Sequence, residues 1–305
     1  ESPSIQMNAT SSRSAISPFR GWTPLALLPL AAAILIPSVW PRWAFMWLLA
    51  VAIFIGCKWL TWRRTETPPA PWWRHAGYLL AWPGLDPASF LRPGPLPAKD
   101  LPTRAEWFGA TMKFIAGTAL IWGVGRLVPA DQPLLFGWTG MVGLILMLHF
   151  GSFHLLSCAW RSIGVDARPL MNRPLASTSV SEFWGKRWNT AFRDLTHRFL
   201  FRPLNHLLGP RRAIVAGFLF SGIVHDLVIS LPAGGGYGLP TLFFGIQAAA
   251  MFAERSPAGH RLGLMRSPYG RIFTMVVLIL PAFWLFHPPF VRNIIVPFLL
   301  AIGAR

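Results

Sequence analysis

Residues 213–231 read Ala213-Ile214-Val215-Ala216-Gly217-Phe218-Leu219-Phe220-Ser221-Gly222-Ile223-Val224-His225-Asp226-Leu227-Val228-Ile229-Ser230-Leu231, a run whose only ionisable side chains are His225 and Asp226. A bilayer core accepts a helix of about 20 predominantly apolar residues, so this stretch reads as a membrane span. Working outward from it, blocks of the same kind lie at Trp22–Val39, Trp43–Leu60, Met112–Val128, Pro133–Ser157, Gly238–Ala253, Ile272–Phe286 and Pro289–Ile302. The expected fold is therefore all-α, a polytopic integral membrane protein with about eight transmembrane helices, in a range of about seven to ten. Only His287-Pro288-Pro289 separates the last two blocks, which predicts a tight hairpin or one broken helix. Composition agrees, because 53% of the 305 residues are apolar and 13% are charged, about half the charged share of a soluble domain. Collagen, disorder and a disulfide scaffold are excluded on the same grounds.

Basic residues outnumber acidic ones 28 to 11. Apart from Arg42, Arg126 and Arg292, all of them fall on one side of an eight-span topology, in the termini, in the long segments Lys58–Lys113 and Arg161–Arg212, and in Glu254–Arg271. The positive-inside rule then places both termini and the long basic loops in the cytoplasm. Topology and anionic lipid headgroups account for the net charge of +17, and nucleic acid is not an expected partner. The polar, Ser-rich segment 1–21 lacks a signal-peptide layout, so the first apolar block is expected to be a retained span. Pro68-Pro69-Ala70-Pro71 and Arg92-Pro93-Gly94-Pro95-Leu96-Pro97 break up the first long loop. Cys57 and Cys158 read as reduced thiols.

The second long loop holds Ser177-Thr178-Ser179-Val180-Ser181-Glu182-Phe183-Trp184-Gly185-Lys186-Arg187-Trp188-Asn189. Ser179 and Glu182 have capping-box spacing, which predicts a helix start. From Val180 the apolar positions Phe183, Trp184, Trp188, Ala191, Phe192, Leu195 and Phe199 recur every three or four residues, predicting an amphipathic helix on the membrane surface. Asn189 would border its apolar face one turn after Gly185, its amide either looking into the protein beside the missing side chain or hydrogen-bonding a loop. In the span quoted above, Gly217, Ser221 and Gly222 share the face of His225, which could leave a cavity beside the imidazole. An ionisable residue at that depth is a functional hypothesis: a general base toward a hydroxyl, or a His joining two helices. Asp226 points elsewhere and reads as a partner for an Arg. His149 and His154 are five apart with no acidic residue in their block, so no metal site is expected there. His75, His197, His206 and His260 read as interfacial, His287 as lying at a span end, and Gly234-Gly235-Gly236 as a turn. Nucleotide-binding, nucleophile-elbow and zinc-protease motifs are missing from the sequence.

The segment Phe183-Trp184-Gly185-Lys186-Arg187-Trp188-Asn189, followed 36 residues after Asn189 by the His of Ser221-Gly222-Ile223-Val224-His225-Asp226, resembles the wax-synthase-like branch of the membrane-bound O-acyltransferases. Trp82-Pro83-Gly84-Leu85-Asp86 is similar to a segment of bacterial members. The resemblance implies one membrane-embedded acyltransferase domain, 22–305, with its signature region at 173–231. It implies transfer of an acyl group from an acyl-CoA co-substrate to an alcohol or other hydroxyl acceptor, with no bound cofactor and no metal. By position His225 would be the general base, with Asn189 supporting the reacting groups. Lys186, Arg187 and Arg193 lie where a polyanionic coenzyme A would arrive, though they could equally meet lipid headgroups. Trp184, Gly185, Trp188, Ser221 and Gly222 complete the expected substrate-binding set. The alternative is a transporter or lipid-binding protein that uses His225 as a proton relay; it would favour an inverted repeat, and the sequence displays none. Acceptor identity, acyl-chain length and oligomeric state stay open.

Overall fold

In the computed structural model of the chain, which describes residues 21–67 and 69–305, every apolar block falls on a helix, and the described residues contain no strand. The polar segment preceding Gly21, and Pro68 of the first Pro-rich run, lie outside the described residues. Among the described residues, four helices are long and apolar enough to cross a bilayer: α2 (Arg42–Arg64), α4 (Ala98–Leu127), α5 (Pro133–Ser162) and α7 (Pro210–Ala233). The pair α9 (Tyr269–Leu285) and α10 (Pro288–Ala301) passes that test together but bends by 60° at the break. His287 sits at the bend, where its Nδ1 accepts from the Phe290 amide at 3.2 Å as an N-cap. The predicted broken helix is thus present, and Pro288 and Pro289 explain the break. Helices α1 (Thr23–Leu35) and α8 (Leu239–Glu254) are apolar but shorter. The helices of the basic loops include α3 (Trp72–Ala81) and α6 (Thr190–Thr196).

Glycines let these helices approach to backbone contact. A Cβ on Gly56 of α2 would lie 2.5 Å from Leu25 Cα of α1, and one on Gly222 of α7 would lie 2.6 Å from Thr241 Cα of α8. Between α4 and α5, a Cβ on Gly117 would lie 2.5 Å from the Met147 amide and one on Gly151 2.8 Å from Phe114 Cα. Ile121, Phe136, Val291, Ile294 and Leu299 are fully buried where α4, α5 and α10 meet. A second cluster under the basic loops contains Tyr78, Phe90, Leu91, Val165 and Ala167. Elsewhere the long helices turn apolar side chains outward, such as Leu27, Ile34, Ile115, Leu127, Ile223 and Leu227. So much exposed apolar surface fits a hydrocarbon solvent and not water.

Two loop expectations need correction. Lys58 is not a loop residue: it lies inside α2, 2% exposed, with its Nζ donating to the Gly84 carbonyl at 2.5 Å and resting 3.4 Å over the Tyr78 ring. The ammonium ties α2 to the Trp82–Asp86 segment, which is extended because Pro83 and Pro87 bar a helix there. The amphipathic helix expected from Val180 is also not continuous. It begins as foreseen, with Ser179 Oγ accepting from the Glu182 amide at 3.0 Å, but it stops at Trp188–Asn189 and restarts as α6. Asn189 is left-handed (φ 41°) and its Oδ1 accepts from the Phe192 amide at 3.4 Å. Asn tolerates that conformation better than most residues and is a favoured N-cap, so it ends one helix and starts the next.

Candidate active site

A cavity of about 2070 Å³ opens under the basic loops. Its wall is chemically divided. Lys99, Arg161, Arg168, Arg173, Lys186 and Arg193, interleaved with Asp86, Asp100, Glu106, Asp166 and Asp194, line the side of the long basic loops, and Lys113 of α4 lies further in, whereas Trp138, Val142, Ile145, Leu278, Ile279 and Phe283 line the part between the spans. From Arg161 to Trp138 the wall follows α5 for roughly 35 Å at the helical rise, about the thickness of a bilayer core.

The signature segment forms one edge of this cavity. Phe183, Lys186, Trp188 and Arg193 are wall residues. Trp188 stacks on Phe183, with centroids 5.5 Å apart and planes inclined by 14°, and meets Phe150 of α5 at 6.2 Å. Lys186 is exposed and has no carboxylate partner among the described residues. Arg193 reaches the cavity while bonding Asp194 and, through Nη1, the Gly185 carbonyl at 3.1 Å. Arg187 turns inward instead. Its Nε and Nη2 both donate to Glu182 Oε1, at 2.9 and 2.7 Å, and its Nη1 spans to the Asn172 carbonyl. Burial pushes the Glu182 carboxyl up, but hydrogen bonds from Thr178 and Arg187 outweigh it and hold the group below the ordinary carboxylate range. Glu254, fully buried at the end of α8, accepts from the Val180 and Ser181 amides at 2.7 and 2.9 Å and so caps the start of the signature segment from outside.

His225 stands apart from this wall. Its Nδ1 lies 2.7 Å from the Ser221 carbonyl one turn earlier. A carbonyl only accepts, so Nδ1 carries the proton and Nε2 presents a lone pair. The ring meets Phe244 of α8 at 4.6 Å, Phe244 meets Trp184 at 5.6 Å, and Trp184 meets Phe183 at 5.1 Å. A chain of aromatic contacts therefore runs from the imidazole to the cavity wall at Phe183. Neither His225 nor Asn189 is a wall residue. The space expected beside Gly222 is filled by Thr241; a Cβ at Gly217 or Gly185 would meet nothing within 4 Å. Asp226 has a different partner set from the Arg expected: it accepts from Thr241, from Ser230 Oγ at 2.8 Å and from the Gly238 amide at 2.8 Å. Those bonds pin the turn at Gly234–Gly238 and the start of α8, and hence Phe244, onto α7.

A cluster that the sequence reading passed over lies on the cavity wall. His154 of α5 has a carboxylate after all, contributed by α4: its Nε2 is 2.9 Å from Glu106 Oε1. Arg161 also pairs with Glu106, while donating through Nε to Ser157 Oγ at 3.2 Å and through Nη1 to the Asp100 carbonyl at 3.2 Å. Ligand atoms of Glu106, His154 and Cys158 lie within 4.8 Å of one another, a donor set a metal could use. The Arg161 guanidinium, however, occupies the same carboxylate oxygen as His154 and approaches Cys158 Sγ at 3.7 Å, so the positive charge is already supplied. Both cysteines are buried free thiols.

Residues 167–246, which include the signature segment and His225, match the model of the membrane bound O-acyl transferase family. Among curated proteins, the chain is 28% identical over 144 residues to probable long-chain-alcohol O-fatty-acyltransferase 7 of Arabidopsis thaliana, covering 43% of this chain and 42% of that one. It is 26% identical over 145 residues to the long-chain-alcohol O-fatty-acyltransferase of Simmondsia chinensis (43% and 41%), and 29% identical over 138 residues to acyl-CoA--sterol O-acyltransferase 1 of Arabidopsis thaliana (42% and 40%). The matches thus span less than half the length of these relatives. Through the region that carries the candidate site, this chain is thus similar to the membrane bound O-acyl transferase family.

Proposed function

We propose that the protein transfers an acyl group from an acyl-CoA thioester to the hydroxyl of a long-chain alcohol or related lipid within the bilayer, forming a wax-type ester. The observation that carries this reading is the divided cavity: cations at one end suit the phosphates of coenzyme A, and an apolar stretch of bilayer length suits an acyl chain. Relatives named as acyltransferases for long-chain alcohols and a sterol support the same chemistry.

In this reading His225 is the general base. With Nδ1–H held by the Ser221 carbonyl, Nε2 takes the hydroxyl proton as the alcohol oxygen attacks the thioester carbonyl. The C–S bond breaks, the ester C–O bond forms, and the imidazolium returns its proton to the coenzyme A thiolate. Lys186 and Arg193 bind phosphate at the cavity mouth, on the cytoplasmic side if the positive-inside rule holds. Asn189 acts by fixing the bend that carries Trp188 and Lys186 into the wall. Substrates reach His225 past Trp184 and Phe244.

The test is ester formation from labelled short- and long-chain acyl-CoA with a panel of alcohols and sterols, using purified protein in nanodiscs. Ester lost in a folded His225→Ala variant supports the reading; a folded wild type that forms no ester and releases no coenzyme A with any acceptor defeats it.

A further inference from the structure

We propose that the deep part of the cavity binds a long-chain carboxylate, a fatty-acid anion whose head pairs with Lys113 and whose tail lies in the groove between α5 and α9.

Lys113 is one of the basic residues that charge alone assigned to the first long loop, yet it lies midway along α4, inside the span. Its side chain is half-buried on the cavity wall, on the α4 stripe that also carries Glu106 and Gly109. No hydrogen bond or ion pair joins it to any described residue. Glu106, the carboxylate on the same stripe, lies about two turns nearer the mouth and already serves Arg161 and His154. Ionisable side chains inside a span pair with one another or mark a ligand path, and Lys113 has a cavity in front of it where a partner would be.

Beyond Lys113 the cavity changes character. A Cβ on Gly151 would lie 2.8 Å from Phe114 Cα, so Lys113 is level with Phe150 and Gly151 of α5, roughly 15 Å in from Arg161. The wall continues for roughly another 20 Å past Ile145 and Val142 to Trp138, which stacks on Phe283 of α9 at 6.5 Å and forms a floor. Val142, Ile279 and Phe283 are exposed, so the groove opens sideways to hydrocarbon. Half of a bilayer core, about 15 Å, houses one lipid tail, and a single tail of that length fits between Lys113 and the floor.

Such a place selects an acceptor head on one apolar tail. A carboxyl suits Lys113 in either protonation state, because ammonium with carboxylate and amine with carboxylic acid are one neutral pair sharing one proton. Alcohol and ester heads accept a hydrogen bond but bring no charge. A phospholipid would have to draw its phosphate below the interface and bring a second tail into the groove. The side opening admits the acid from the bilayer in which it dissolves. Binding does not depend on the acyltransferase reading; its consequence does, since a bound acid fills the groove assigned to the acyl chain and so competes with long-chain acyl-CoA.

The experiment measures binding of a labelled long-chain fatty acid to the full chain in nanodiscs, as wild type, Lys113→Met and Lys113→Arg, with the methyl ester and the lysophosphatidate of the same chain as comparators. Each ligand is compared with itself across the variants and against empty nanodiscs, which cancels its partition into lipid. Lys113→Met is expected to weaken the acid about ten- to hundredfold, the range for a hydrogen bond to a charged group, and to leave the ester within about twofold. Lys113→Arg, which keeps the charge, is expected to hold the acid within about threefold of wild type. Unchanged acid affinity in Lys113→Met overturns the proposal, as does an equal loss for the ester. A lysophosphatidate that binds more tightly than the acid and needs Lys113 equally overturns the choice of carboxylate. Should Lys113→Met not fold, wild type decides: an acid with a diazirine at its far end is expected to label Trp138 or Phe283, and labelling confined to the loops overturns the groove. If the acid binds as described, yet no ester forms with any acceptor, the site stands and the acyltransferase reading falls.

Discussion

The two imidazoles His225 and His154 are both held by a hydrogen bond at one ring nitrogen, yet their settings differ. His225 bonds the carbonyl of its own helix and packs on Phe244, which in turn meets Trp184. His154 bonds a carboxylate from the neighbouring span and faces an open cavity. A ring fixed within its own helix keeps its aim as long as that helix persists, which suits a reacting group. A ring fixed by a neighbouring span depends on how the two helices pack, which suits a group that ties the spans together.

The largest contrast expected is in rate. His225→Ala is predicted to lower ester formation roughly 10²–10⁴-fold, the usual contribution of a positioned base; initial-velocity assays check it, and a rate within tenfold of wild type would remove the base assignment. Next comes stability. Glu106→Gln leaves the buried Arg161 charge unpaired and is expected to cost about 3 kcal/mol, the low end for such a break because Glu106 is 23% exposed. Thermal unfolding in nanodiscs checks it, and a melting temperature equal to wild type would mean that the cluster holds nothing together. Smaller again is the effect of span spacing. Gly117→Ala forces a Cβ against Met147 and is expected to cost about 1–3 kcal/mol. Gly217→Ala, about two turns before His225 in open space, is expected to stay within about 0.5 kcal/mol of wild type; the reverse order would refute the packing described. The smallest effect is that of acid on the signature segment. The folded Glu182 carboxyl titrates below its unfolded value, so its contribution is complete above the ordinary carboxylate range and fades as pH falls through the folded value. The protection factor of the Thr178 amide, its exchange corrected for the intrinsic rate at each pH, should fall there and not in a Glu182→Gln variant.

The apolar blocks made the helices legible, because a bilayer enforces length and composition before any tertiary detail. The capping box at Ser179 and the proline break at His287 were legible because caps and prolines act over a few residues. Periodicity misled at Asn189, since a left-handed residue interrupts a helix without disturbing the apolar spacing. The Glu106–His154 pair and Glu254 were invisible for another reason: their partners are 48 and 74 residues away in sequence. Lys58 was assigned by its charge to a loop, but a backbone carbonyl and an aromatic face suffice to bury it.

The short connection 128–132 makes α4 and α5 consecutive in synthesis as well as adjacent in space. At the usual elongation rate the hairpin is complete on the order of ten seconds before Glu254, which caps the signature segment, has been translated. Glu106 and Arg161 can therefore meet while the rest of the protein is still unmade, so the hairpin enters lipid carrying its opposite charges together. Variants that separate the two charges would then appear first as poor membrane insertion and low yield, before any enzyme exists to assay.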